Sequence, residues 1–192
     1  MPIKYVLGDA TKPQGKGQKL IIHICNDKSG WGSGFVVSLS KRWKKPEQYY
    51  REWFKRRNPA SSTIPGQDLQ LKLGLLAFSS PFALGEAQFV DVENNDIWVA
   101  NMIAQHGYMS PGQEPPVKLD ALRKCLQEVK KWCDSWSDPP SLHAPRIGCG
   151  LGGRTWSEIE PLLEEILGAF DITIYDFEPQ TKSVIDDSAK LF

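Results

Sequence analysis

The hydrophobic pattern divides the chain into segments of strand-like and helix-like period that alternate. "IKYVLGDA" reads as a short strand, Ile3 to Leu7, stopping at a Gly-Asp turn. "KLIIHIC", Lys19 to Cys25, is apolar without alternation, the pattern of a strand covered on both faces. A glycine-rich stretch follows, and helical periodicity then begins in "FVVSLSKRW". A break at Pro46 precedes "EQYYREWFKRR", which sets Tyr49, Trp53 and Phe54 at helical spacing with charges opposite, so two helices are expected here. From Asn58 to Gln70 the chain is polar and rich in Pro, Ser and Gly, the signature of a loop.

Two strands, "QFVDVE" and "IWVANMIA", flank the turn "NNDI". Lys118 to Trp136 reads as an amphipathic helix on Leu119, Leu122, Leu126, Val129 and Trp132 or Cys133, ending near "SDPP". "LHAPRIGCGLGG" is a short strand running into a second glycine-rich loop. "TWSEIEPLLEEIL" is then a helix, with Ser157 as N-cap and Glu160 completing a capping box. "ITIYDF", Ile172 to Phe177, closes as a strand, and the polar tail from Glu178 onward is expected to be loosely ordered. Strands alternating with helices predict an α/β fold with a central mixed sheet and helices on both sides. In such sheets ligands bind outside the carboxyl ends of the strands, and both glycine-rich loops fall there.

Composition narrows the function without naming it. The 192 residues suit one domain, and apolar and charged shares of 41% and 24% are those of an ordinary folded protein. With 23 basic and 23 acidic side chains no global field favours nucleic acid or an anionic membrane, so an anionic ligand must be bound locally. Cys25, Cys125, Cys133 and Cys149 form no C-x-x-C pair, and His23, His106 and His143 add no paired ligand spacing. Reduced thiols in a cytoplasmic setting, with no metal and no cofactor, are therefore expected. No secretory signal is expected at the start of the chain, and no stretch approaches the ~20 apolar residues of a membrane helix.

"GWGSGF" and "GCGLGG" each turn a strand end into a helix start, where free N–H groups point at whatever binds. Neither fits a named phosphate motif, and either one alone is equally well a tight turn beside a packed helix. Two on one rim favour a diphosphate cradle. Cys149 followed by Arg154 has four intervening residues where the cysteine-dependent phosphatase loop has five, so a space-filling thiol is the preferred reading. His23, between Ile22 and Ile24, reads as a satisfied core histidine before it reads as a base. Asn26 and Asp27 stand at the strand end and are the better candidates: an amide there suits a ribose hydroxyl. Asp9 after the first strand suits an exocyclic amine, or is a turn residue. Tyr175 suits stacking on a base, or is a core tyrosine.

Four segments, "GDAT", "HICNDKSGWGSGF", "PRIGCGLGGRTW" and "IYDF", together resemble the macrodomain family of ADP-ribose-binding modules over residues 3 to 178. The likeness is greatest to the branch holding terminal ADP-ribose protein glycohydrolase and the yeast-type ADP-ribose 1''-phosphate phosphatase, bacterial members above all. The resemblance implies a three-layer α/β/α macrodomain with a largely parallel sheet over residues 1–178, followed by a tail over 179–192. It implies that Asp9, with Ala10 beside it, contacts the adenine amino group and that Tyr175 lies against the adenine. Asn26 would face the distal ribose, and Trp31, Gly32, Ser33, Gly34 and Phe35 would line the distal ribose and diphosphate. Ile147, Gly148, Cys149 and Gly150, continuing through Leu151, Gly152, Gly153 and Arg154, would wrap the diphosphate from the other side.

The human-type glycohydrolase of that branch uses a lysine and an aspartate where this chain has Gln105 and Gly152. Neither residue can form a lysyl adduct or exchange a proton. The resemblance therefore implies a hydrolase that positions water, with Asn26, Asp27 and Ser33 as the catalytic candidates. It would remove mono-ADP-ribose from acidic residues of modified proteins, its partners being ADP-ribose and those proteins. The alternatives are a non-catalytic ADP-ribose reader and an ADP-ribose 1''-phosphate phosphatase.

Overall fold

The computed structural model describes residues 2–57, 82–110 and 112–176. The expected loop over Asn58–Gln70 and the tail from Glu178 lie outside the described residues. Six strands form one sheet: β1 Lys4–Leu7, β2 Lys19–Asn26, β3 Ala87–Asp91, β4 Ile97–Gln105, β5 Ser141–Pro145 and β6 Ile172–Asp176. Their order is β1-β6-β5-β2-β4-β3, every neighbouring pair parallel except β3 with β4. Four helices are present among the described residues: α1 Phe35–Arg42, α2 Lys45–Arg57, α3 Leu119–Asp134 and α4 Trp156–Leu167.

The apolar run of β2 is explained by its place between β5 and β4, with helices on both faces. Leu20 and Ile22 pack with Ala100 and Met102 of β4 under the buried Leu122, Leu126 and Val129 of α3 and Leu163 of α4. Ile21 and Cys25 pack with Val99 and Ile103 on the opposite face, under Val36 and Leu39 of α1 and Tyr50 and Trp53 of α2. The three-layer architecture is thus the one that the alternating elements predict.

Three local expectations shift. Pro46 does not precede α2 but sits in its first turn, where a missing N–H removes no intrahelical bond. The capping box of α4 lies two residues earlier than expected. Thr155, extended at φ −89° and ψ 156°, is the N-cap, and its N–H donates to Glu158 at 2.8 Å. Ser157 is already inside the helix, its hydroxyl 3.0 Å from that of Thr155. Third, β2 runs one residue past Cys25, and its register with β4 jumps from Cys25 opposite Ile103 to Asn26 opposite Gln105. That bulge re-aims the strand end on which the candidate residues stand.

Candidate functional site

A cleft runs along the carboxyl edge of the sheet in two adjoining lobes. The first, of about 520 Å³, lies between Ser33–Val36 of the first glycine loop and Pro145–Gly152 of the second, with His23, Gln105 and Val117 among its walls. The second, of about 540 Å³, is lined by Asn26, Ser29–Ser33, Arg51, Gln105, Tyr108 and Met109. Ser33, Gln105 and Leu151 border both lobes.

Asn26 builds the first loop. Its Oδ1 accepts from the N–H groups of Lys28 at 2.8 Å and Gly30 at 3.0 Å, and its Nδ2 donates to the Gly30 carbonyl at 2.9 Å. The Tyr50 hydroxyl donates to the Asn26 carbonyl from below. Gly30 has no room for a side chain: a Cβ there would stand 2.4 Å from the Tyr108 hydroxyl and 2.8 Å from Asn26 Nδ2. Farther along, Trp31 Nε1 donates to Ser40 Oγ at 2.7 Å, tying the loop to α1. Gly32 opposes nothing within 4 Å, so its backbone faces open space. Gly34 takes φ +76°, a turn that a side chain would strain, immediately before α1 begins.

The second loop is folded by its own backbone. The Gly153 N–H donates to the Gly150 carbonyl and the Arg154 N–H to the Gly148 carbonyl, both at 3.0 Å. Gly150, like Gly32, meets nothing within 4 Å, so bare backbone borders each lobe, Gly150 the first and Gly32 the second. At Gly152 a Cβ would meet Val117 Cγ2 at 2.9 Å. Position 152, set by the resemblance against an aspartate, is therefore crowded by a neighbour. Burial raises the Cys149 thiol above its ordinary pKa, against the opposing pull of Arg146, so no thiolate nucleophile is prepared there.

Asp27 borders neither lobe. Its Oδ2 accepts from His106 Nδ1 at 2.6 Å and its Oδ1 from the Gly107 N–H at 3.0 Å. Burial pushes this carboxyl up, but the Gly107 N–H and His106 outweigh it and hold it below the ordinary carboxylate value. His23 is fully buried and bonded at 2.7 Å to Asn101 Oδ1. Asn101 Nδ2 in turn donates to Gln88 and to the Pro46 carbonyl, so Oδ1 must accept and His23 Nε2 carries the proton. Burial drives His23 down to about 4, leaving a neutral imidazole behind Trp31 and Phe35, 5.5 and 5.9 Å between ring centres.

The structure gathers Asn26, Trp31, Gly32, Ser33, Gly34, Phe35 and Ile147 through Gly152 around the two lobes. Asp9, Ala10, Asp27, Gly153, Arg154 and Tyr175 are not among the lining residues. Asp9 caps its own turn, accepting from the Thr11 N–H and hydroxyl at 2.9 and 2.8 Å. Tyr175 is buried, its hydroxyl 3.0 Å from His143 Nδ1 and accepting from the Gln14 N–H at 3.1 Å. Both nonetheless stand at the carboxyl ends of β1 and β6, on the side where the first lobe opens at Pro145 and Arg146. Arg154 is spent on the Val117 carbonyl at 2.9 Å and on Glu158 at 3.1 Å.

Arg51, Tyr108, Met109, Val117 and Arg146 line the cleft without having stood out in the sequence as candidates for it. They come from α2, from connections after β4 and from the end of β5, and no motif links them. Among the described residues no cluster of three or more His, Cys, Asp or Glu could hold a metal ion. No helix among them is long and apolar enough to cross a membrane.

No family model matches the chain. A solved macrodomain protein from Streptomyces coelicolor is 39% identical, with a TM-score of 0.69, covering 91% of this chain and 99% of its own. The ADP-ribose 1''-phosphate phosphatase of Saccharomyces cerevisiae is 26% identical over 90% of this chain and 97% of the yeast protein. An ADP-ribose glycohydrolase of Bos taurus is 40% identical over 53 residues, 28% of this chain and 34% of the bovine protein.

Proposed function

The chain belongs to the macrodomain family, and from that membership we propose that it binds ADP-ribose along the carboxyl edge of its sheet and hydrolyses the ester joining C1'' to an acidic side chain. The observation that carries this reading is the pair of bare backbone stretches at Gly150 on the first lobe and Gly32 on the second, two lobes that share Ser33 and Leu151. Only a ligand needing N–H donors over a length greater than one phosphate makes use of both. The adenine lies toward β1 and β6, near Asp9 and Tyr175. The diphosphate spans the first lobe, and the distal ribose enters the second.

Gln105 offers no nucleophile and Val117 fills the space beside Gly152, so this chain's residues position and do not attack. Ser33 and its flanking glycines hold a water against the diphosphate near C1''. Asn26 shapes the loop that holds them, and Asp27 acts as a positioning residue through His106 and Gly107. As the ester breaks, loop N–H groups stabilise the charge that develops. The whole-chain likeness to a yeast enzyme named for ADP-ribose 1''-phosphate favours a phosphate ester as the second reading.

The test incubates the chain with proteins modified on glutamate, on arginine and on serine, alongside calorimetry with free ADP-ribose. Release from glutamate alone is the expected result. Tight binding with no release from any of the three leaves a reader, and no binding at millimolar ADP-ribose removes the reading altogether.

A further inference from the structure

The second lobe extends past the ribose that the proposed function puts there, and what it holds beyond that point bears on the substrate. Among the residues lining it, Arg51 alone carries a formal charge, and no carboxylate faces it. Arg51 reaches the lobe from α2, an element outside both glycine loops, and its side chain is 43% exposed. Its charge is partnered by Glu47, which does not line the lobe, so Arg51 supplies the one charged donor among the lining residues.

The guanidinium is also held still. Nε and Nη2 donate to Glu47 Oε1 at 3.0 and 2.9 Å, and Nη1 donates to the Ser29 carbonyl at 3.0 Å. Glu47 is fixed in turn, its Oε2 accepting from Ser40 Oγ at 2.8 Å, while that oxygen accepts from Trp31 Nε1. Among the described residues, three of the five N–H groups are thereby committed and two remain. A preoriented fork with two spare donors loses little freedom on meeting an anionic oxygen group.

Resting on the proposed ADP-ribose orientation, we infer that Arg51 reads the group carried on C1'' of the distal ribose, and that this group is an anionic oxygen substituent. Two sources supply that chemistry, the carboxylate of a modified Asp or Glu and a phosphate, and they differ in when the charge exists. An ester-linked carboxyl is neutral until its bond breaks. Water oxygen then bonds to C1'', the old C1''–O pair leaves with the carboxylate, and the water proton passes to solvent. The guanidinium meets a full charge only in the later part of that step, so it acts on kcat. A phosphate at C1'' is charged before any chemistry, so the guanidinium acts on affinity.

The experiment compares the full chain with Arg51→Gln and Arg51→Lys. Calorimetry is run with ADP-ribose, whose C1'' bears a neutral hydroxyl, and with ADP-ribose 1''-phosphate. Steady-state kinetics are run on a glutamate-modified protein. In Arg51→Gln, ADP-ribose affinity should fall only by what the lost Ser29 bond loosens in the first loop, and that common loss is the baseline beyond which the other losses are counted. A tenfold or greater loss of 1''-phosphate affinity identifies phosphate as the group. A loss of about tenfold or more in kcat at constant KM identifies the carboxylate. Arg51→Lys, which keeps the charge, should recover part of whichever property falls. Equal losses for ADP-ribose and its 1''-phosphate would reduce Arg51 to a clamp on the Ser29 loop and overturn the inference, as would no change in either arm. Wild-type protein that fails to bind ADP-ribose would instead overturn the reading on which the inference stands.

Discussion

The two glycine loops face the same cleft but are held in different ways. The first is pinned from outside by side chains of three elements: Asn26 of β2, Ser40 of α1 through Trp31, and Arg51 of α2. The second is closed by its own N–H and carbonyl groups, with left-handed glycines at its turns. The first loop can therefore be loosened by a change several residues away in sequence. The second is tied to its surroundings chiefly through Val117, whose N–H donates to the Gly152 carbonyl at 3.3 Å, and is otherwise sensitive to changes in its own backbone.

The largest effect is expected where the two loops meet. Gly34→Glu places a carboxylate at a left-handed position whose Cβ would stand 3.7 Å from Leu151 across the cleft. ADP-ribose affinity by calorimetry should fall by more than about 100-fold, through strain, bulk and like charge together. Unchanged affinity would refute the proposed pose. Next comes Asn26→Ala, which removes the acceptor of two loop N–H groups and the donor to Gly30. A loss on the order of 3 kcal/mol in urea unfolding is expected at roughly 1 kcal/mol per hydrogen bond. Amide exchange should rise in Lys28–Gly30 and not in Gly148–Gly153, which is the sharpest check on the contrast.

Acid should act with the same asymmetry. His23, which backs Trp31 and Phe35, has its pKa lowered to about 4 by burial, and so does His143. A histidine kept neutral when folded lets the unfolded chain take up the extra proton, so stability falls as pH drops from 6.5 toward 4. Each group contributes a slope of about 1.4 kcal/mol per pH unit in that window. Denaturation midpoints at pH 7 and pH 5 read the sum, and His23→Gln should remove about half of it. Asp27, held below its ordinary value, is fully stabilising above that ordinary value and loses its contribution as pH falls from there through the lowered one.

The smallest effect separates binding from folding. Gly148→Ala strains a φ of +76° and presses Ile159 at 3.0 Å, so a loss of about 1–2 kcal/mol is expected. Gly32→Ala meets nothing within 4 Å and should change stability by less than about 0.5 kcal/mol while still weakening ADP-ribose.

The legibility of the sequence follows the same division. Features held by near neighbours were readable: the doubly covered β2, the amphipathic α3, and both loops as strand-to-helix turns. The strand order was not, because the run "KLIIHIC" records burial on two faces without recording which strands lie beside it. The capping box was displaced because Thr155/Glu158 and Ser157/Glu160 satisfy the same spacing, and only the turn at Gly153 decides between them. Arg51 carried no signal, since a Glu-x-x-x-Arg pair on a charged helix reads first as an ordinary surface pair. Its approach to Ser29 depends on how α2 lies against the sheet.

The contact between Val117 and Gly152 has an evolutionary consequence. An aspartate gained at 152 alone would collide with the Val117 side chain, and a smaller residue at 117 alone would leave a hole beside the second loop. The two changes are useful only together, which is sign epistasis built from 2.9 Å of clearance.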